Sequence, residues 1–143
     1  MIPLTLLPIL LAFQQPETAL LQIPAGWRYE RLDFPLAFAP ELELAGIEDL
    51  AFAPGMFAPE SDSYFSYALA LRLAGDVEID QGFLEHFLVT YYRGLCRAVG
   101  DERQLELDLA SVAAEVRPDG AGFRAHVALF DPFVTGAALE LEL

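Results

Sequence analysis

The residues able to carry catalysis are few: two histidines, His86 and His126, one cysteine, Cys96, and scattered carboxylates. A histidine beside a carboxylate can act as a general base, so a hydrolase using His86 or His126 with a carboxylate is one functional expectation. Local spacing argues against it. His86 falls on the same helical face as Arg93 and Arg97, whose charges favour a neutral, solvated imidazole. His126 lies two residues from Arg124 on a strand, with Ala113 as its expected cross-strand neighbour. Cys96 sits toward the end of its helix, where the dipole raises a thiol pKa, and reads as a small buried hydrophobe. Glu60-Ser61-Asp62-Ser63 lacks the spaced oxygens and the Gly of a calcium loop. Glu106 and Asp108 alternate with Leu, as the wet face of a sheet does. No catalytic motif with a defined mechanism occurs. No cofactor and no metal is expected, and no catalytic residue is assigned.

Apolar recognition is the other chemistry on offer. Phe52 to Phe57 (FAPGMF) sets large apolar side chains in a Pro-Gly turn, where Phe52, Met56 and Phe57 either form an exposed patch or fold back to close the core. Tyr67 on a strand and Tyr91 on a helix are the further candidates for a binding surface. A cavity lined by Tyr67, Leu71 and Tyr91 would favour a small apolar ligand over a filled interior.

These residues need elements to position them. Tyr64 to Ala74 alternates cleanly, with Phe65, Tyr67, Leu69, Leu71 and Leu73 on one face, and predicts a strand. Leu42 with Leu44, and Leu50 with Phe52, predict two shorter strands around a turn at Gly46. Asp80 caps a helix over 81–99, with Ile79 and Leu84 as a hydrophobic staple. Its stripe is Leu84, Leu88, Tyr91, Leu95 and Val99, and Gly100 is the expected stop. Three strand-like runs follow, 104–117, 123–131 and 135–143. Pro118-Asp119-Gly120 turns between the first two and sets Glu115 against Arg124 and Val116 against Phe123. The phase change near Leu109 predicts a bulge over Leu109 to Ser111. The fold class is therefore α+β: a mostly antiparallel sheet, one amphipathic helix on one face, and a C-terminal meander.

The stretch from Trp27 to Leu95 resembles an uncharacterised family of small exported bacterial proteins. The residues that carry the resemblance are Trp27 and Glu30, Phe38-Ala39-Pro40, Gly46 to Phe52 (GIEDLAF), Pro54-Gly55, Ser66-Tyr67 and Tyr91-Tyr92-Arg93-Gly94-Leu95. It implies export and a C-terminal continuation, and neither a substrate nor a site.

Whole-chain properties bound the function. With 22 acidic residues against 8 basic ones the net charge is −14, which excludes nucleic acid as a partner. The opening run MIPLTLLPILLAF rises only about 20 Å as a helix, so it makes no stable membrane span. Residues 1–14 read as a signal peptide, 15–26 as a linker and 27–143 as one domain. The expected location is periplasmic or extracellular, with the cytoplasm as the alternative. Leu139 to Leu143 alternates to the last residue, leaving an edge for a second strand, a homodimer partner or a longer chain. The leading functional expectation is an exported non-enzymatic domain that binds a protein partner or a small apolar ligand. The hydrolase and a structural module dimerising through its C-terminal edge are the alternatives.

Overall fold

Alternating apolar residues and one capped amphipathic segment produce an α+β arrangement in a computed structural model that describes residues 19–143. The expected signal peptide, and the linker as far as residue 18, lie outside the described residues. Six antiparallel strands are divided between two sheets. Strands β1 (Arg28–Phe34), β2 (Gly46–Phe52) and β3 (Tyr67–Leu73) form the first, in that order. Strands β4 (Ala113–Asp119), β5 (Gly122–Phe130) and β6 (Ala138–Glu142) form the second, the C-terminal meander. Helix α1 (Gln81–Glu102) lies between them in sequence and reaches both.

The helix starts where its chemistry dictates. The Asp80 carboxylate accepts the Phe83 amide at 2.8 Å, and Ile79 and Leu84 border one apolar groove. Its end is a correction. Gly100 does not stop it, because the chain continues to Glu102 and turns at Gln104, in the left-handed region at φ +57°. The Leu105 amide donates to the Gly100 carbonyl at 2.8 Å and the Gln104 amide to Asp101 at 3.1 Å, the paired bonds of a Schellman end. Buried residues extend from Leu88 and Tyr91 to Phe87, Tyr92 and Cys96, a wider sector than the expected stripe. A helix packed against two sheets needs that width. Arg93, expected on the wet side, donates to the Leu109 and Val112 carbonyls at 3.0 and 3.1 Å and ties α1 to the approach to β4.

Gly94 is where the Phe-Ala-Pro segment docks. A Cβ on it would lie 2.2 Å from the Phe38 carbonyl oxygen, so only Gly admits this backbone approach. Ala39 and Leu36 are buried there. Leu42 and Leu44 accordingly sit in an irregular segment rather than a strand, and Gly46 opens β2 instead of marking a turn. The third strand also starts later than its alternation suggests. Phe65 takes φ +52° and closes the β2–β3 loop, with its amide on the Met56 carbonyl at 2.9 Å.

The second sheet keeps the expected faces but slides its register. Glu115 opposes His126 rather than Arg124, and Val116 opposes Ala125 rather than Phe123. Gly120, at φ +57°, takes the first of two loop positions, so the turn moves one residue on and the pairing two. A two-residue slide preserves which side chains face inward, which is why Val116, Ala125 and Val127 are all buried. The first run is shorter than expected. Residues 104–108 are not strand, and a 3-10 turn at Leu109–Ser111 stands where the bulge was placed.

Two substitutions probe these points. Gly94→Ala gains about 1 kcal/mol of helix propensity but overlaps the Phe38 carbonyl, so the net loss in urea melts is about 1–3 kcal/mol; a gain instead would mean that the loop does not dock there. Gln104→Gly relieves a left-handed residue and raises stability by about 0.5–1 kcal/mol, measured in the same melts.

Candidate functional site

The central strand β2 carries two adjacent carboxylates, Glu48 and Asp49, which alternation sends to opposite faces of the first sheet. Both are fully buried, at 0% exposure. Asp49 is compensated. Arg31, its direct cross-strand partner, donates from Nε at 2.6 Å and Nη2 at 2.8 Å. The Tyr29 hydroxyl and the Leu20 amide add bonds at 2.9 and 2.7 Å. The Arg31 guanidinium outweighs burial and holds the carboxyl down at about 2. Leu20 belongs to the expected linker and is bonded to the sheet through this contact.

Glu48 faces the other way, toward α1. Neither of its carboxylate oxygens has a hydrogen-bond partner. Burial pushes its pKa up to about 7; the Tyr91 hydroxyl facing it favours the ionised form without reaching regular hydrogen-bond geometry, and the Glu30 charge disfavours it. Tyr67 and Tyr92 share a bond between their hydroxyls in the same cluster. Burial holds the Tyr67 and Tyr91 phenols well above their ordinary value and pushes Tyr92 up to about 12.

Beside this cluster lies a cavity of about 240 Å³. Phe52, Met56, Phe57, Tyr67 and Tyr91, the five residues singled out from sequence, all line it. Leu71 lines the neighbouring open groove between β3 and the start of α1 instead. Three irregular segments bring the remaining walls. The docked segment after β1 supplies Phe38, edge-on to Tyr91 at 5.0 Å between ring centres. The β2–β3 loop, pinned by the Gly55 amide on the Ser63 hydroxyl at 3.0 Å, supplies Met56, Phe57 and Phe65. The turn after β5 supplies Phe133, edge-on to Phe57 at 5.4 Å.

Asp131 builds that last turn. Its buried carboxylate accepts amides from Phe133, Val134 and Thr135 at 2.9 to 3.0 Å, and the Tyr64 hydroxyl. Burial works to raise its pKa, but Tyr64 and the three amides prevail and lower it. Leu32, Leu50 and Leu95 complete the apolar wall. The charged lining residues are Arg28, whose guanidinium lies over the Phe52 and Phe57 rings at 5.1 and 5.3 Å, and Glu30.

The histidines lie elsewhere. His86 is exposed on α1. His126 lies on the outward face of β5, its Nδ1 2.5 Å from Glu142 and its Nε2 3.6 Å from Glu140. The slid register replaces its expected neighbour Ala113 with Glu115. The Glu142 carboxylate raises its pKa. The shallow depression there is lined by charged groups and Ala125, with no hydroxyl or thiol to act as a nucleophile. Cys96 is buried and donates to the Phe130 carbonyl at 3.5 Å, and burial raises its thiol pKa. Among the described residues, no group of three or more His, Cys, Asp or Glu is placed to hold a metal ion, and no helix is long and apolar enough to cross a membrane.

Sequence reasoning did not single out Glu48 as a site residue, and Glu30 entered only through the family resemblance. The available signal was the acidic pair inside GIEDLAF, charges set in a run otherwise fit for a buried strand. No family model, no curated protein and no solved structure matches the chain.

The two adjacent carboxylates oppose each other in acid stability. Between its ordinary value of 4.5 and about 7, Glu48 ionises in the unfolded chain but stays protonated when folded, so stability falls as pH rises through that window. The Asp49 contribution is complete above 3.8 and is lost as pH falls toward about 2. Stability from the pair therefore peaks near pH 4. Glu48→Gln is expected to remove the upper slope and stabilise the protein at about pH 8 by up to about 3 kcal/mol. Urea midpoints at acid and alkaline pH check it, and an unchanged slope would place Glu48 in water.

Proposed function

We propose that the protein is an exported, non-enzymatic domain that binds a small apolar ligand in the cavity between the first sheet and α1. One observation carries the reading: aromatic and aliphatic side chains from β1, β2, β3, α1 and three irregular segments converge on a single space of about 240 Å³. Its walls are apolar apart from Arg28, Glu30 and the tyrosine hydroxyls. That composition matches a ligand pocket, at a volume below the roughly 300–1,000 Å³ of drug-sized sites. The ligand is correspondingly compact. Absence of histidine, serine, threonine and cysteine from the lining supports binding over turnover. Export is proposed on the apolar opening run and on the family resemblance.

Indole and toluene are suitable first probes, titrated against the full chain with amide and Met56 methyl resonances as the readout. Saturable shifts confined to Met56, Tyr67 and Tyr91 are expected, with affinities of about 10–1,000 µM for ligands this small. Leu95→Phe, which fills the cavity from its rim, should abolish the shifts while leaving the melt intact. Shifts that stay linear to the solubility limit, or saturable binding that survives the filled variant, would overturn the assignment.

A further inference from the structure

We infer that the ligand is a free amino acid with a compact apolar side chain, its carboxylate taken by Arg28 and its ammonium by Glu30 at the rim of the cavity. This deepens the reading proposed above and rests on the cavity being a ligand site.

Two opposite charges stand unpaired on one face of β1. Arg28 and Glu30 are exposed, two residues apart, and opposite Phe52 and Leu50 across the ladder; all four line the cavity. Among the described residues, neither charged group makes an ion pair or a side-chain hydrogen bond. The contrast with other arginines is plain. Arg31, Arg97, Arg117 and Arg124 hold carboxylates, and Arg93 and Arg103 hold backbone carbonyls. Arg28 instead lies over the Phe52 and Phe57 rings, at 5.1 and 5.3 Å, although Glu30 is its neighbour on the same face. Glu30 is turned toward the cavity as well, since its charge acts on Tyr91, which lines the wall.

The two groups ask for a guest with both charges. Stacking uses the face of a guanidinium and leaves its in-plane N–H donors for a planar anion, so the rings hold Arg28 ready for a bidentate carboxylate. Glu30, ionised, can only accept, and an ammonium only donates. Successive residues on one face of a strand lie about 7 Å apart, a gap that an ammonium and a carboxylate on one carbon bridge with a hydrogen bond at each end. A plain acid would bring a second negative charge to Glu30, and a plain amine a second positive charge to Arg28. At a net charge of −14 the field repels anions, whereas a zwitterion has no net charge to repel. Below the rim the walls are rings and aliphatic chains, which suit an apolar side chain. Size sets the rest: about 240 Å³ corresponds to about eight waters of liquid volume, room for a side chain of about seven heavy atoms with the charged head left at the rim.

Phenylalanine, phenethylamine and hydrocinnamate share one ring and chain, and the last two each lack one charged group of the first. They are titrated at neutral pH by calorimetry and by the Met56 methyl resonance, with toluene alongside to report the apolar space alone. Phenylalanine is expected to bind tighter than either half-charged probe by about tenfold or more. Arg28→Met keeps an apolar stem over the rings and should bring phenylalanine down to phenethylamine while its lead over hydrocinnamate persists. Glu30→Gln should do the converse, removing the lead over hydrocinnamate and keeping that over phenethylamine. A general loss of structure would move both ratios together, and a thermal melt of each variant verifies folding. Phenylalanine no tighter than the better half-charged probe, or a lead that survives both substitutions, overturns the amino acid assignment, and saturable toluene binding then keeps the apolar site. If neither toluene nor phenylalanine saturates, the cavity is no ligand site and both readings fall together.

Discussion

Two carboxylates on consecutive residues of a strand that is covered on both faces form the constraint around which the first sheet is built. Alternation leaves no freedom: Glu48 must enter the space between sheet and helix, and Asp49 must enter the opposite layer. A buried ionised carboxylate is tolerated only when donors replace its water. The outer layer meets that demand with Arg31 directly across the ladder, Tyr29 on the same strand and the amide of Leu20. The short segment before β1 is thereby bonded to the sheet, although it has no helix or strand of its own. The inner layer answers differently. It gathers phenols around Glu48 and lets burial favour the protonated acid, so one face is held by charge and the other by neutrality.

The cavity follows from how large rings meet. Tyr67, Phe52, Phe57, Phe65 and Phe133 approach one another at centroid separations of 5.4 to 6.2 Å, in tilted or edge-on pairs. Rings in these orientations seal a boundary without filling the volume behind it. Rigid supports fix them: Ser61 and Ser63 close the β2–β3 loop, the Asp131 carboxylate winds the turn that carries Phe133, and Gly94 lets the segment bearing Phe38 lie on the helix. Walls held by part-buried hydrogen bonds and close backbone packing are ordered without an occupant.

Much of this was legible along the chain. The helix start at Asp80 could be read because capping is local, and its length could not, because the stop at Gln104 uses a residue with no sequence signature for the left-handed region. Alternation identified β3 and the faces of β4 and β5, while register depended on which residue of the Asp119–Gly122 turn took positive φ, a choice decided by a single glycine position. No strand is predicted over β1, since RYERLDF shows charged residues on both faces. Arg31 serves the buried Asp49, while Arg28, Glu30 and Asp33 stay exposed, Arg28 and Glu30 beside the cavity. Phe52, Met56 and Phe57 could be picked out because a domain must do something with large hydrophobic side chains in a Pro-Gly turn, and Tyr67 and Tyr91 from the inward faces of their strand and helix; all five line the cavity. Glu48 could not, because a lone acidic residue in a strand ordinarily marks the wet side, and only the tertiary arrangement makes β2 a strand with no wet side at all.

That arrangement also decides what kind of chemistry the site favours. A general base needs a proton to take from a bound substrate and a second group to receive or deliver charge as bonds change. The groups whose electrostatics are coupled to Glu48 are Glu30 and the phenols of Tyr67, Tyr91 and Tyr92, and burial holds those phenols well above neutrality. His126, with its flanking Glu140 and Glu142, stands on the outward face of the second sheet, in a depression separate from the cavity. The acidic pair and the histidine thus have no shared space in which to divide a proton transfer. The binding role proposed above rests on that separation and on the ring-lined walls of the cavity, which Glu48 supports from behind as a buried acid.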